Sequence, residues 1–194
     1  PTVSGITVML DSGANSNSKP KHLVQGALMG SEYAKLLLGK EEPTVGLLNI
    51  GEEATKGNDV VLATYPILER MKTINFKGNI EGRDIPKGVV DVVVCDGFVG
   101  NVVLKFAEGL VTGLTQLVKD SIMAGSIFAK IGAMLVKPAL KKMAKRLDHT
   151  ENGGAPLLGV NGVFMIAHGS SKAKEIKTAI EIASDLVERK IIQH

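Results

Sequence analysis

The run Val89-Val-Asp-Val-Val-Val-Cys95 constrains the fold more than any other stretch, because Val92, Val93, Val94 and Cys95 are apolar without alternation. A strand that is apolar on both faces must be covered on both faces, which is the pattern of a parallel sheet packed between helices. Four further β-rich runs accompany it, at residues 6–10, 45–50, 74–78 and 163–167. Between the runs, apolar residues recur at helical spacing over 20–38, 57–71, 100 to about 136, and 171–190. The first of these opens with Pro20, a residue suited to an initial helical turn, and puts Leu23, Ala27, Gly30, Ala34 and Leu37 on one face. In the last, Ile176, Ile180, Ala183 and Val187 recur at steps of three and four. Alternation of strand and helix predicts βαβ crossovers, hence a doubly wound, mostly parallel α/β domain over 1–194.

Composition agrees: 44% hydrophobic residues over 194 positions supply a sizeable core. The one cysteine, Cys95, excludes an intrachain disulfide and a thiolate zinc cage, so the chain reads as intracellular and without a metal site of that kind. No secretory signal opens it, and no run reaches the roughly 18 consecutive apolar residues of a membrane span, so the expectation is a protein that does not cross a bilayer. The net charge of +3 is uneven, with six basic and no acidic residues in 121–147 and an acidic balance elsewhere. A general nucleic-acid surface is therefore excluded.

Each β-rich run is followed by a polar, glycine-bearing loop: Asp11-Ser-Gly-Ala-Asn15, Asn49-Ile-Gly-Glu-Glu53, Asn79-Ile-Glu-Gly-Arg-Asp84, Asp96-Gly-Phe-Val-Gly-Asn101 and His168-Gly-Ser-Ser171. In an open parallel sheet such loops emerge on the ligand-binding edge, where glycine lets backbone approach a ligand and helix N-termini favour anions. Gly, Asn and Asp are also ordinary turn residues, so one loop alone says little; five are expected to converge on a common rim. Neither a Gly-x-x-x-x-Gly-Lys-Ser/Thr loop nor a Gly-x-Gly-x-x-Gly fingerprint occurs, which removes the main nucleotide-binding classes.

An ordered set of motifs resembles a known family. Leu10-Asp-Ser-Gly-Ala-Asn15, Lys19-Pro-Lys-His-Leu23, Gly46-Leu-Leu-Asn-Ile-Gly-Glu-Glu53, Lys56-Gly-Asn58, Gly78-Asn-Ile-Glu-Gly-Arg-Asp84, Val92-Val-Val-Cys-Asp-Gly-Phe-Val-Gly-Asn-Val-Val-Leu-Lys105, Gly153-Gly-Ala-Pro-Leu-Leu-Gly-Val-Asn-Gly162 and Ala167-His-Gly-Ser-Ser171 resemble the bacterial acyl-carrier-protein:phosphate acyltransferases, the PlsX family of phospholipid synthesis. The resemblance runs along nearly the whole chain. It implies attack of inorganic phosphate on the thioester of a long-chain acyl carrier protein, giving acyl phosphate. It further implies a fold similar to phosphotransacetylases and the isopropylmalate dehydrogenase group, a homodimer, no cofactor and no metal. Family members are longer, so the chain is expected to be the carboxy-terminal portion of such an enzyme, inactive by itself. Ser12 stands where the family has an apolar residue.

Phosphate is already an anion and a competent nucleophile, so positioning and oxyanion stabilisation are the chemistry to look for. Lys19 and Asn15, beside the first strand end, are the leading candidates for phosphate and carbonyl contacts, and Lys19 is otherwise a solvated residue before a helix. Asp96 could orient Lys105, Asn101 or a water, or be a turn carboxylate; His168 could protonate the leaving thiol. Ser170 could cap a helix or hold phosphate. Gly13, Glu52, Asn58, Arg83, Gly97, Asn101, Lys105, Asn161, Gly169, Ser170 and Ser171 complete the expected substrate site, with Cys95 packing as a small apolar side chain. A short-chain phosphate acetyl- or butyryltransferase using acyl-coenzyme A, a non-catalytic membrane-associated scaffold, and a nicotinamide-linked dehydrogenase are the competing readings; the last needs an aspartate metal cluster that the sequence lacks.

The basic segment 121–147 interleaves Ile127, Phe128, Ile131 and Leu135 with Lys130, Lys137, Lys141 and Lys142, and Pro138 is expected to divide it into two arms of a protruding helical hairpin. Apolar insertion beside lysines fits the anionic inner face of the cytoplasmic membrane, with the protein peripheral to it. A dimer arm with solvated lysines, or docking of the acidic carrier protein, remains open.

Overall fold

A computed structural model describes residues 1–147, 153–169, 171–189 and 191. Four strands, β1 (Val8–Leu10), β2 (Thr44–Asn49), β3 (Asn75–Glu81) and β4 (Val92–Val94), form one sheet in the order β1-β4-β2-β3, and every pairing in it is parallel. The non-alternating valine run is β4, an inner strand with Val92, Val93 and Val94 all fully buried.

The valines alternate between two cores. Val92 and Val94 pack with Val8, Val45 and Leu47 against Leu23, Ala27 and Ala34 of α1 (Pro20–Leu38) and Val61 and Leu68 of α2 (Asp59–Arg70). Val93 and Cys95 join Leu48, Ile80 and Val90 on the opposite face, covered by Val99 and Val103 of α3 (Gly97–Ala124) and by Ile85 of a 3-10 turn over Gly82–Lys87. Both faces are therefore helix-covered, and the doubly wound α/β architecture holds. Helix α1 lies close to the sheet because Gly30 faces Val92: a Cβ there would sit 2.7 Å from Val92 Cγ1.

The structure corrects several boundaries. The third strand does not end at Gly78 but passes through it to Glu81, by a register shift between Val45 and Leu47 of its partner; Gly78 takes φ 92°, open to glycine. The long helix from 100 to 136 is two helices: α3 begins at Gly97, and α4 (Ile127–Leu147) follows the break at Gly125–Ser126. Pro138 does not divide the basic segment; it lies inside α4. The stop falls at Gly125 because glycine is a poor helix former and Ser126 restarts the next helix, its Oγ accepting from Ala129 N–H.

The fifth β-rich run is not part of the parallel sheet. Met165–Ile166 forms β6, which pairs antiparallel with β5 (Ala155–Pro156) in a separate two-stranded sheet. That hairpin packs on α5 (Ala173–Glu188) and, through Gly159 beside Met29, on α1.

Candidate functional site

Because all four main strands are parallel, β1, β2, β3 and β4 deliver Asp11, Ile50, Gly82 and Cys95 to one edge. Neighbouring strands lie about 4.8 Å apart, so the edge spans roughly 14 Å from the β1 loop to the β3 loop.

At the β1 end the chain folds around Asp11. Gly13 and Ala14 N–H donate to Asp11 Oδ1 at 2.8 and 2.7 Å, and Asn15 N–H donates to Oδ2 at 2.7 Å. The amides of this loop are thus taken by the chain's own carboxylate. The Asn15 carbonyl accepts from Gly97 N–H at 2.9 Å and from Ser18 Oγ at 3.4 Å. Asn15 thus has both backbone groups tied while its side chain stays exposed. Lys19 is held similarly: its N–H donates to His22 Nδ1 at 3.2 Å and its carbonyl accepts from His22 N–H. The Lys19 side chain is exposed and has no ion-pair partner among the described residues.

The β4 loop meets this one. Asp96 caps α3, its Oδ1 accepting from Val99 N–H at 3.0 Å; the sequence alternative in which it orients Lys105 is not the arrangement found, since Lys105 pairs with Glu108 at 2.9 Å. Gly97 and Gly100 allow the contact. A Cβ at Gly97 would lie 2.6 Å from the Asn15 carbonyl oxygen, and one at Gly100 would lie 1.9 Å from the Asp11 carbonyl oxygen. Asn101 leans on Gly13. Cys95 is buried, its Sγ 3.4 Å from the Asp11 carbonyl; burial, then the negative Asp96 and Asp11, push its thiol up to about 12. It is no nucleophile.

A second group gathers at the β2 and β3 ends. Asn49 Nδ2 donates to the Lys56 carbonyl and Asn79 Nδ2 to the Glu53 carbonyl, so two buried asparagines shape the loop that carries Glu52, Glu53 and Lys56. Both stand in the loop motifs after their strands, but their bonding across the loops is not visible from sequence. Asn58 caps α2 through Val61 N–H. Arg83 pairs with Glu81 at 2.8 Å.

The edge therefore brings together Gly13, Asn15, Lys19, Asp96, Gly97 and Asn101 on one side and Glu52, Asn58 and Arg83 on the other. Lys105 lies two turns along α3. Asn161, His168, Gly169 and Ser171 belong to the hairpin region and the segment leading to α5, with Ser171 N–H donating to the His168 carbonyl. Ser170 lies outside the described residues.

Away from the edge, α3 and α4 expose apolar surface. Only Gly97 and Gly100 of α3 are buried, while Phe98, Phe106, Leu110, Leu114 and Leu117 are open; α3 is long and apolar enough, by length and composition, to cross a membrane. On α4, Phe128 is 80% and Leu135 78% exposed, next to exposed Lys130 and Lys137.

Comparison with known proteins gives a consistent result. The family described as fatty acid synthesis protein matches residues 1–194. A protein named phosphate acyltransferase from Desulfitobacterium hafniense is 55% identical over 194 residues, all of this chain and 58% of the relative. Proteins of the same name from Heliobacterium modesticaldum, 56% identical over 99% of this chain and 57% of the relative, and from Aquifex aeolicus, 51% identical over 96% and 55%, agree. The chain spans a little over half the length of these relatives.

Proposed function

Since the chain belongs to the fatty acid synthesis protein family, we propose that the whole protein is a phosphate acyltransferase, moving a long-chain acyl group from acyl carrier protein to inorganic phosphate. The observation that carries this reading is the presence of Asn15 and Lys19 in the segment between β1 and α1 at the carboxyl edge, each with its backbone tied and its side chain exposed. With the loop amides given to Asp11, the phosphate is held by the Lys19 ammonium and the Asn15 amide. A phosphate oxygen attacks the thioester carbonyl carbon, and the carbonyl oxygen gains negative charge that those donors stabilise. The intermediate collapses as the C–S bond breaks; acyl phosphate forms, and the carrier thiolate leaves and takes a proton from water. Gly13, Asn101, Gly97 and Asp96 shape the near wall; Glu52, Asn58 and Arg83 line the far one.

In this reading Asn161, His168, Gly169, Ser170 and Ser171 contribute from the carboxy-terminal region, and His168 is an alternative to water as the proton donor to the departing thiolate. The protein is cytoplasmic and peripheral to the inner membrane face, where Ile127, Phe128, Ile131 and Leu135 insert while Lys130 and Lys137 meet anionic headgroups. The exposure of Phe128 and Leu135 beside lysines supports this. Exposed apolar residues of α3 support a homodimer.

The test uses the full-length protein with phosphate and either palmitoyl carrier protein or acetyl-coenzyme A. Phosphate-dependent release of carrier thiol is expected. Faster turnover of acetyl-coenzyme A would replace the long-chain reading with the short-chain one, and no release with either would leave a non-catalytic role.

A further inference from the structure

We propose that Asp11 is a positioning residue for this reaction, acting through Asn15; the inference rests on the functional reading above. A carboxylate next to a phosphate site repels the substrate, so its presence at the β1 end calls for a compensating role. The geometry supplies one. Both carboxylate oxygens are used, Oδ1 by Gly13 and Ala14 and Oδ2 by Asn15, each at 2.7 to 2.8 Å. Charge-assisted hydrogen bonds of this kind are short and strong. They leave the Asn15 backbone no freedom, because its carbonyl is fixed in turn by Gly97 N–H and Ser18 Oγ.

Asp11 is itself fastened to the sheet. Its N–H donates to the Cys95 carbonyl at 3.0 Å, its carbonyl accepts from Cys95 Sγ, and Gly100 leaves no room behind it. A rigid strand end thus passes its position through the carboxylate to the Asn15 side chain. An amide in place of the carboxylate has one acceptor oxygen and a donor group in place of the other, so Asp11→Asn sets N–H against N–H at one of the three bonds while keeping size and shape.

The experiment compares full-length wild type with D11N, N15A and the double variant, measuring thiol release at varied phosphate and varied acyl carrier protein. D11N is expected to lower kcat/KM for phosphate by about 10- to 100-fold, since a misplacement on the order of 1 Å costs about that much. KM for the acyl carrier protein stays unchanged, and the double variant is no worse than N15A. Losses that multiply in the double variant, an N15A enzyme as active as wild type, or a fully active D11N overturn the proposal. Should D11N not fold, D11E, which keeps the charge and displaces it by one methylene, carries the same cycle. Amide hydrogen exchange over 13–15 separates this inference from the functional one. Faster exchange in the variant shows that Asp11 orders the loop, and unchanged exchange shows that it does not. A wild type that releases no thiol overturns the acyltransferase reading whichever way the exchange falls.

Discussion

Lys19 and Gly100 bound what single side chains do at the edge. Lys19 contributes no ion pair to the fold among the described residues, so Lys19→Ala is expected to leave the melting temperature of the full-length protein unchanged. Phosphate-dependent thiol release is expected to fall on the order of 100-fold, the usual loss for one oxyanion donor. Equal activity of variant and wild type would remove Lys19 from the site. Gly100 has the opposite profile, for a methyl there meets the Asp11 carbonyl at 1.9 Å, a distance that no rotamer relieves. Gly100→Ala forces α3 away from β1 and costs about 1 to 3 kcal/mol or more, as overpacking does. Denaturant titration checks this, and a variant as stable as wild type would show that α3 is free to shift.

At the scale of elements, the opposite edge is held by Asp91. Its carboxylate accepts from the Lys40 ammonium and from Thr44 N–H and Oγ1, tying the loop after α1 to the start of β4. Burial pushes the Asp91 carboxyl up, but these hydrogen bonds outweigh it and hold it below the ordinary 3.8. A carboxyl lowered on folding stabilises above its unfolded value and loses that contribution as pH falls through its folded one. The melting-temperature gap between wild type and Asp91→Asn is therefore expected to be constant above about pH 4 to 5 and to close below the ordinary carboxylate range. A gap that persists to pH 2 contradicts the assignment. The α4 helix carries a different prediction: replacing Ile127, Phe128 and Leu135 with serine is expected to abolish flotation with anionic vesicles while leaving thiol release from soluble acyl carrier protein intact. Retained flotation would return the helix to a dimer arm or a carrier-docking surface.

For the molecule as a whole, what the sequence conveys follows from how local each cause is. Strand β4 is legible because burial on both faces writes itself as an unbroken valine run, whereas β3, Asn-Phe-Lys-Gly-Asn-Ile-Glu, carries no such run; α1 is legible because Pro20 opens it and Gly39 closes it. Gly78 reads as a strand end, yet the register shift depends on pairing with β2, which a local reading does not contain. Pro138 reads as the break because a proline inside a helix is costly, but Gly125–Ser126 offers a stop and a restart together and precedes it. The placement of Asn15, Asp96 and Gly97 at the sheet edge follows from their position just after strands. Asp11, Asn49 and Asn79 were not singled out, because their importance lies in which backbone groups they satisfy once the loops have closed.

The tight seat of Gly97 and Gly100 reaches beyond the edge. Helix α3 has 28 residues and so runs about 42 Å. A rod pinned at one end turns a small tilt there into a large sweep at the other, so the placement of the lysine-bearing α4 is governed by a few atoms beside Asp11.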